Sequence, residues 1–147
     1  MNIHEQAKHV IEKAYDELHI GDKAQIVKTI TDEDIVTFAK LTGDVNPIHL
    51  DDEFAQKTFF KGRIAHGMLT ASFISTILGT QLPGTNTIYL SQNLKFKAPV
   101  KIGDTVTVVA EVVGKRDDKK IITLQTNVFN QHQKMVVEGE AMVMKME

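Results

Sequence analysis

The stretch Leu41-Thr42-Gly43-Asp44-Val45-Asn46-Pro47-Ile48-His49 sets a carboxylate and an imidazole five positions apart on a segment that cannot be helical throughout. Pro47 has no amide hydrogen and pushes Asn46 out of the helical region, so the chain must turn here. A turn can bring Asp44 and His49 together. On a shared water such a pair works as general acid and base, taking a proton from the water and returning one to carbon. The same residues also suit a plain turn, with Asp44 and Asn46 bonding loop amides and His49 a simple loop residue, and spacing alone leaves both readings open. A second cluster, Ala65-His66-Gly67-Met68, opens an apolar run that continues to Gly79. If a helix starts there, its first amides point outward unpaired and carry partial positive charge, which suits them to hold a developing oxyanion; Gly67 also lets a substrate come close. The plainer alternative is that His66-Gly67 only makes a tight start to a buried helix. Ser75, two turns further on, is either a site residue or a core serine bonded back to a carbonyl.

These groups need a scaffold, and the patterning predicts one. Ile3, Ala7, Val10, Ile11, Ala14, Tyr15 and Leu18 recur at three- and four-residue spacings, which predicts an amphipathic helix from Asn2 to His19 stopped by Gly21. Lys23 to Ile30 reads as a strand. Thr31 with Asp34 reads as a helix start followed by Ile35, Val36, Phe38, Ala39 and Leu41, with Gly43 suited to the left-handed position after the helix. A short helix is predicted from Asp51 to Lys57, and the sequence HGMLTASFISTILG from His66 to Gly79 reads as a helix buried on most sides. After the turn Leu82-Pro83-Gly84 come four strands, Thr87 to Ala98, Thr105 to Gly114, Ile121 to Phe129 and Met135 to Met144. One strand, then helices, then four strands gives an α+β fold in which an antiparallel sheet wraps around a central helix. Residues 1–147 are read as one domain, with 1–20 an additional N-terminal helical extension.

Composition narrows the function. Seventeen basic against nineteen acidic residues give a net charge of -2, too small a field to favour nucleic acid. The chain has no cysteine, which removes disulfide scaffolds, thiolate metal sites and thiol nucleophiles. His4, His9, His19 and His132 show no metal-ligand spacing, so neither a metal nor another cofactor is expected. No apolar run approaches the ~20 residues of a membrane span and the N-terminus lacks an export pattern, so a cytoplasmic location without membrane attachment is expected. Arg63, Lys95, Lys97 and Lys101 are candidates to meet phosphate groups, with ordinary solubilising roles as the alternative.

Gly43-Asp44-x-Asn46-Pro47-x-His49 resembles the hydratase motif of the MaoC-like, (R)-specific enoyl-CoA hydratase family. The resemblance continues through Ala65-His66-Gly67-Met68, Leu82-Pro83-Gly84, Phe96-Lys97-Ala98-Pro99-Val100 and Gly103-Asp104, over roughly residues 23 to 147. It implies a hot-dog fold, a homodimer with sites at or near the subunit interface, and an acyl-CoA substrate. By position, Asp44 and His49 match the catalytic pair and Asn46 and Pro47 shape the loop. Gly67 matches the glycine whose amide acts as the oxyanion donor, and Ser75 matches a position near the site; with Asn46 and His66 it is taken as substrate-binding. The expected activity is reversible hydration of trans-2-enoyl-CoA to (R)-3-hydroxyacyl-CoA. A hot-dog thioesterase and a non-catalytic acyl-CoA-binding subunit are the alternatives.

Overall fold

A computed structural model describes residues 1–147. Its elements, in order, are α1 (Ile3–Ala7), β1 (Lys23–Thr29), α2 (Asp32–Thr42), α3 (Pro47–Leu50), α4 (Asp52–Gln56), α5 (Gly67–Thr80), β2 (Thr87–Phe96), β3 (Thr105–Arg116), β4 (Ile121–Phe129) and β5 (Met135–Lys145), with a single 3-10 turn at Tyr15–Glu17. The five strands form one antiparallel sheet in the order β1-β3-β4-β5-β2. Alternation decides which face is covered. Val106, Val108, Ala110 and Val112 of β3 are buried at every second position, and Ile122, Leu124 and Val128 of β4 continue the same layer. Ile74, Ile77 and Leu78 of α5 fill the concave side of that layer, each at 2% exposure or less. Burying each stabilises the fold by roughly 1.5–3 kcal/mol. Register shifts at Tyr89/Ser91, Val112/Gly114 and Val128/Phe129 let the sheet curve around the helix. This is the hot-dog arrangement that the resemblance implies.

The N-terminal helix is present but short. It covers Ile3–Ala7 and buries none of its residues, so the prediction of a helix through His19 needs correcting. Beyond Ala7 the backbone finds partners outside itself. Lys13 N donates to the Pro83 carbonyl (2.9 Å), Thr85 N donates to the Ile11 carbonyl (3.0 Å), and Tyr15 N donates to Glu147 Oε1 (3.0 Å). Lys115 Nζ donates to the carbonyls of Tyr15 and Leu18 while lying 4.2 Å from the centre of the Tyr15 ring. Tyr15 and Leu18 reach the core from the 3-10 turn and its end, whereas Ile3 and Ile11 stay exposed. External hydrogen bonds replaced the helical ones, and the apolar spacing alone does not reveal that choice.

Candidate active site

Three short elements deliver Asp44 and His49. Thr31 caps α2 by accepting from Asp34 N (3.1 Å), and Gly43 ends it at φ 81°, a left-handed conformation that favours glycine. The chain then tightens. Asp44 N donates to Thr42 Oγ1 (3.2 Å), Asn46 N to Asp44 Oδ1 (3.3 Å), and Ile48 N to Asn46 Oδ1 (3.1 Å). Asn46 is thus the cap of α3, with Pro47 at its first position. One carboxylate oxygen of Asp44 shapes the loop, as the turn reading expects, while the side chain stays exposed beside the cavity described below.

His49 lies in α3 and is 8% exposed. Its Nδ1 meets the Ile64 carbonyl at 2.8 Å, so Nδ1 carries the hydrogen and Nε2 offers the lone pair. Burial, as the main cause, and the neighbouring His66 hold the His49 pKa below the ordinary histidine value; the bond to Ile64 and the Asp44 carboxylate oppose that shift in part. The ring is therefore suited to act as a neutral base. His66 stacks against it with ring centres 3.8 Å apart and planes at 27°, and Phe38 flanks His66 at 4.8 Å. His66 Nε2 lies 3.0 Å from the Asp44 carbonyl.

Arg63 stands just before this cluster with its side chain 10% exposed. Its Nε donates to the His49 carbonyl (2.6 Å) and its Nη2 to Asp32 Oδ1 (2.5 Å). Arg63 thus holds the loop that carries His49 and the start of α2, and its Nη1 lies 3.8 Å from Asp52. Of the lysines named with it, Lys97 lies at a cavity wall, 3.8 Å from Glu138.

A cavity of about 610 Å³ collects Asp44, His49, His66 and Gly67 with Phe59, Phe60, Ile64, Met68, Phe96 and the chain from Lys97 to Val100. Its lining is mostly apolar around a few polar groups, the usual make-up of a small-molecule site. Gly67 begins α5, and His66 supplies no side-chain cap there. The Gly67 amide donates to no other group of the chain, and Gly67 lines the cavity at the positive end of the helix dipole. A Cβ on Gly67 would come within 2.7 Å of the Phe96 ring, so close packing by Phe96 is a second reason for glycine at this position.

Two of the residues expected to bind substrate lie outside the lining of this cavity. The Asn46 side chain caps α3 and does not line this cavity. Ser75 opens instead onto a second cavity of about 500 Å³ with Ser72, Tyr89 and Leu90; Met68 borders both. Sequence reading missed Thr70, whose buried Oγ1 has no partner and which lines the first cavity. Thr70 lies one turn beyond His66, and helical spacing from that residue is the signal that points to it. The aromatic wall of Phe59 and Phe60 carried no such signal, because its place depends on how the loop after α4 folds back.

Asp44, His49 and His66 each offer a potential ligand atom within 4.8 Å of the others. A single ion needs lone pairs converging at about 2.0–2.1 Å. The two rings stack at 27°, and each has one nitrogen on a main-chain carbonyl, which leaves His49 Nε2 and His66 Nδ1 with free lone pairs.

Residues 19–140 match the family model described as MaoC like domain. The chain is 51% identical over 130 residues to an (R)-specific enoyl-CoA hydratase of Rhodospirillum rubrum, covering 88% of this chain and 90% of that protein. It is 48% identical over 126 residues to an (R)-specific enoyl-CoA hydratase of Aeromonas caviae, covering 86% and 94%. Among solved structures, the unliganded R-hydratase PhaJ1 of Pseudomonas aeruginosa superposes with a TM-score of 0.86 at 48% identity, covering 90% of this chain and 85% of that one. Its loop motif, wrapped helix and match over most of its length make this chain a member of the MaoC-like family.

Proposed function

We propose that the protein is an (R)-specific enoyl-CoA hydratase that adds water reversibly to trans-2-enoyl-CoA and gives (R)-3-hydroxyacyl-CoA. One observation carries this: Asp44 and His49 converge on a cavity whose wall includes the free amide of Gly67. Relatives named for this activity at about half identity support it. In the reaction, Asp44 and His49 Nε2 hold a water. A proton leaves the water as its oxygen bonds Cβ, the electron pair of the double bond moves through Cα onto the thioester oxygen, and the Gly67 amide supports that negative charge. The pair then returns a proton to Cα on the same face. Water and the enoyl thioester supply every atom of the product, so the step needs no cofactor.

The proposal includes a homodimer. β2 is a sheet edge whose exposed residues include Ile88, Tyr89, Leu90 and Phe96, with Met68 of α5 also exposed, and an edge of this kind calls for a cover. No helix is long and apolar enough to cross a membrane. A cytoplasmic location belongs to the same proposal and is checked by cell fractionation.

Purified protein given crotonyl-CoA tests the activity. Loss of the conjugated enoyl group without thiol release, and a product of R configuration, is the expected result. Thiol release with the double bond intact would make the protein a thioesterase. Tight binding with neither reaction would make it a non-catalytic acyl-CoA-binding subunit.

A further inference from the structure

We propose that His66 is a positioning residue: it ties the Asp44–His49 pair to the start of α5, so that the attacking water and the thioester oxygen are held at one fixed separation. The proposal rests on the hydratase reading and assigns His66 a different task from contact with substrate. Asp44 lies on the turn after α2 and His49 in α3, whereas the oxyanion donor, Gly67, belongs to α5. Addition across a conjugated double bond needs both at once, because charge reaches the thioester oxygen as oxygen bonds Cβ. Small errors in their separation are expensive: a misplacement of about 1 Å can lower a rate roughly a hundredfold.

Contacts from Arg63 to His66 bridge the two parts. Arg63 Nε donates to the His49 carbonyl, Ile64 N donates to the Ile48 carbonyl (3.2 Å), and the Ile64 carbonyl accepts from His49 Nδ1. These three contacts fix His49. Only His66 reaches the Asp44 end, through Nε2 to the Asp44 carbonyl, and its ring stacks on His49 as well. It is also the residue immediately before Gly67 and the cap of α5. One side chain therefore touches both members of the pair from the helix that carries the oxyanion donor.

His66 is poorly placed to meet substrate. It is 2% exposed, and Nε2 is engaged with the main chain. With its hydrogen on Nε2, the ring presents Nδ1 as an acceptor, and that atom is buried without a partner. A buried acceptor without a partner adds nothing to stability. Phenylalanine in its place loses one hydrogen bond but removes that orphan atom and keeps a ring between Phe38 and His49. The His66→Phe variant is therefore expected to fold, which separates positioning from simple support of the fold.

The test compares wild type, His66→Phe and His66→Gln in three measurements: thermal melting, kcat for crotonyl-CoA hydration, and binding of butyryl-CoA, a saturated probe that cannot react. For His66→Phe the expected result is a melting temperature close to wild type, unchanged butyryl-CoA affinity, and kcat lower by roughly a hundredfold. Glutamine places an amide donor where Nε2 stood, so His66→Gln should recover part of that loss. Wild-type kcat in His66→Phe, an affinity loss with kcat intact, or a glutamine variant no better than phenylalanine would each overturn the positioning role. Wild-type protein that fails to hydrate crotonyl-CoA would overturn the hydratase reading itself, a result distinguishable from all three.

Discussion

At the scale of single residues, the site rests on a carboxylate and an imidazole whose surroundings differ. Asp44 is exposed and uses one oxygen to hold the Asn46 amide. Asn in its place keeps an oxygen for that bond but removes the charge, so Asp44→Asn should melt close to wild type and lose roughly 10²- to 10⁴-fold in kcat for crotonyl-CoA hydration. His49→Ala should lose activity to a similar extent and, because it empties a buried ring position, also roughly 1–3 kcal/mol of stability, readable in a urea melt. The pH dependence follows from the lowered His49 pKa. The folded protein resists a proton that the unfolded chain accepts, so the His49 contribution to stability is fully present above the unfolded value of about 6.5 and is lost as pH falls below it toward the folded value. The base is neutral over the same range. The acid limb of kcat/KM should therefore lie below pH ~6.5, and a limb above that value would contradict the assignment. The turn that brings Asp44 and His49 to one cavity was legible in the sequence because proline, asparagine and glycine dictate it locally. Ser75 and Asn46 were less so: the cavity a helical serine faces, and whether an asparagine caps a helix or faces a ligand, depend on packing that spacing does not encode.

Among the elements, local signals and tertiary demands parted company at the N-terminus. The strands appear within a few residues of their predicted bounds, because alternation of apolar residues and the turns between them are local properties. The cap at Thr31 and the left-handed Gly43 were equally readable. The first eighteen residues were not, since their helical spacing competes with partners far along the chain: the α5–β2 connection, the β3–β4 turn and the C-terminus. Tyr15 shows the strength of that competition. Its hydroxyl donates to Asp117 Oδ1 (2.6 Å), and burial together with that carboxylate pushes its pKa up to about 12, which keeps it a donor at any ordinary pH. Tyr15→Phe should cost about 1 kcal/mol in a denaturant melt and leave hydration unchanged, because this contact lies outside the cavity.

For the whole molecule, the two sheet edges are unequal. β1 shows Lys23, Gln25, Val27 and Thr29 at its exposed positions, a single apolar residue among polar ones, whereas β2 exposes Ile88, Tyr89, Leu90 and Phe96. A second copy on β2 would also cover the cavity that holds Ser75, Tyr89 and Leu90. Sedimentation of the wild type should give a dimer, and Leu90→Asp should shift it toward monomer with a fall in kcat/KM; a monomeric, fully active wild type would remove the dimer from the proposal. In the proposed reaction a single acid-base pair works on one face of the substrate beside the Gly67 amide. Hydration of crotonyl-CoA in D₂O reads that arrangement most directly. Proton NMR should find one deuterium at Cα, on the same face as the new hydroxyl; deuterium on the opposite face, or spread over both Cα positions, would contradict it.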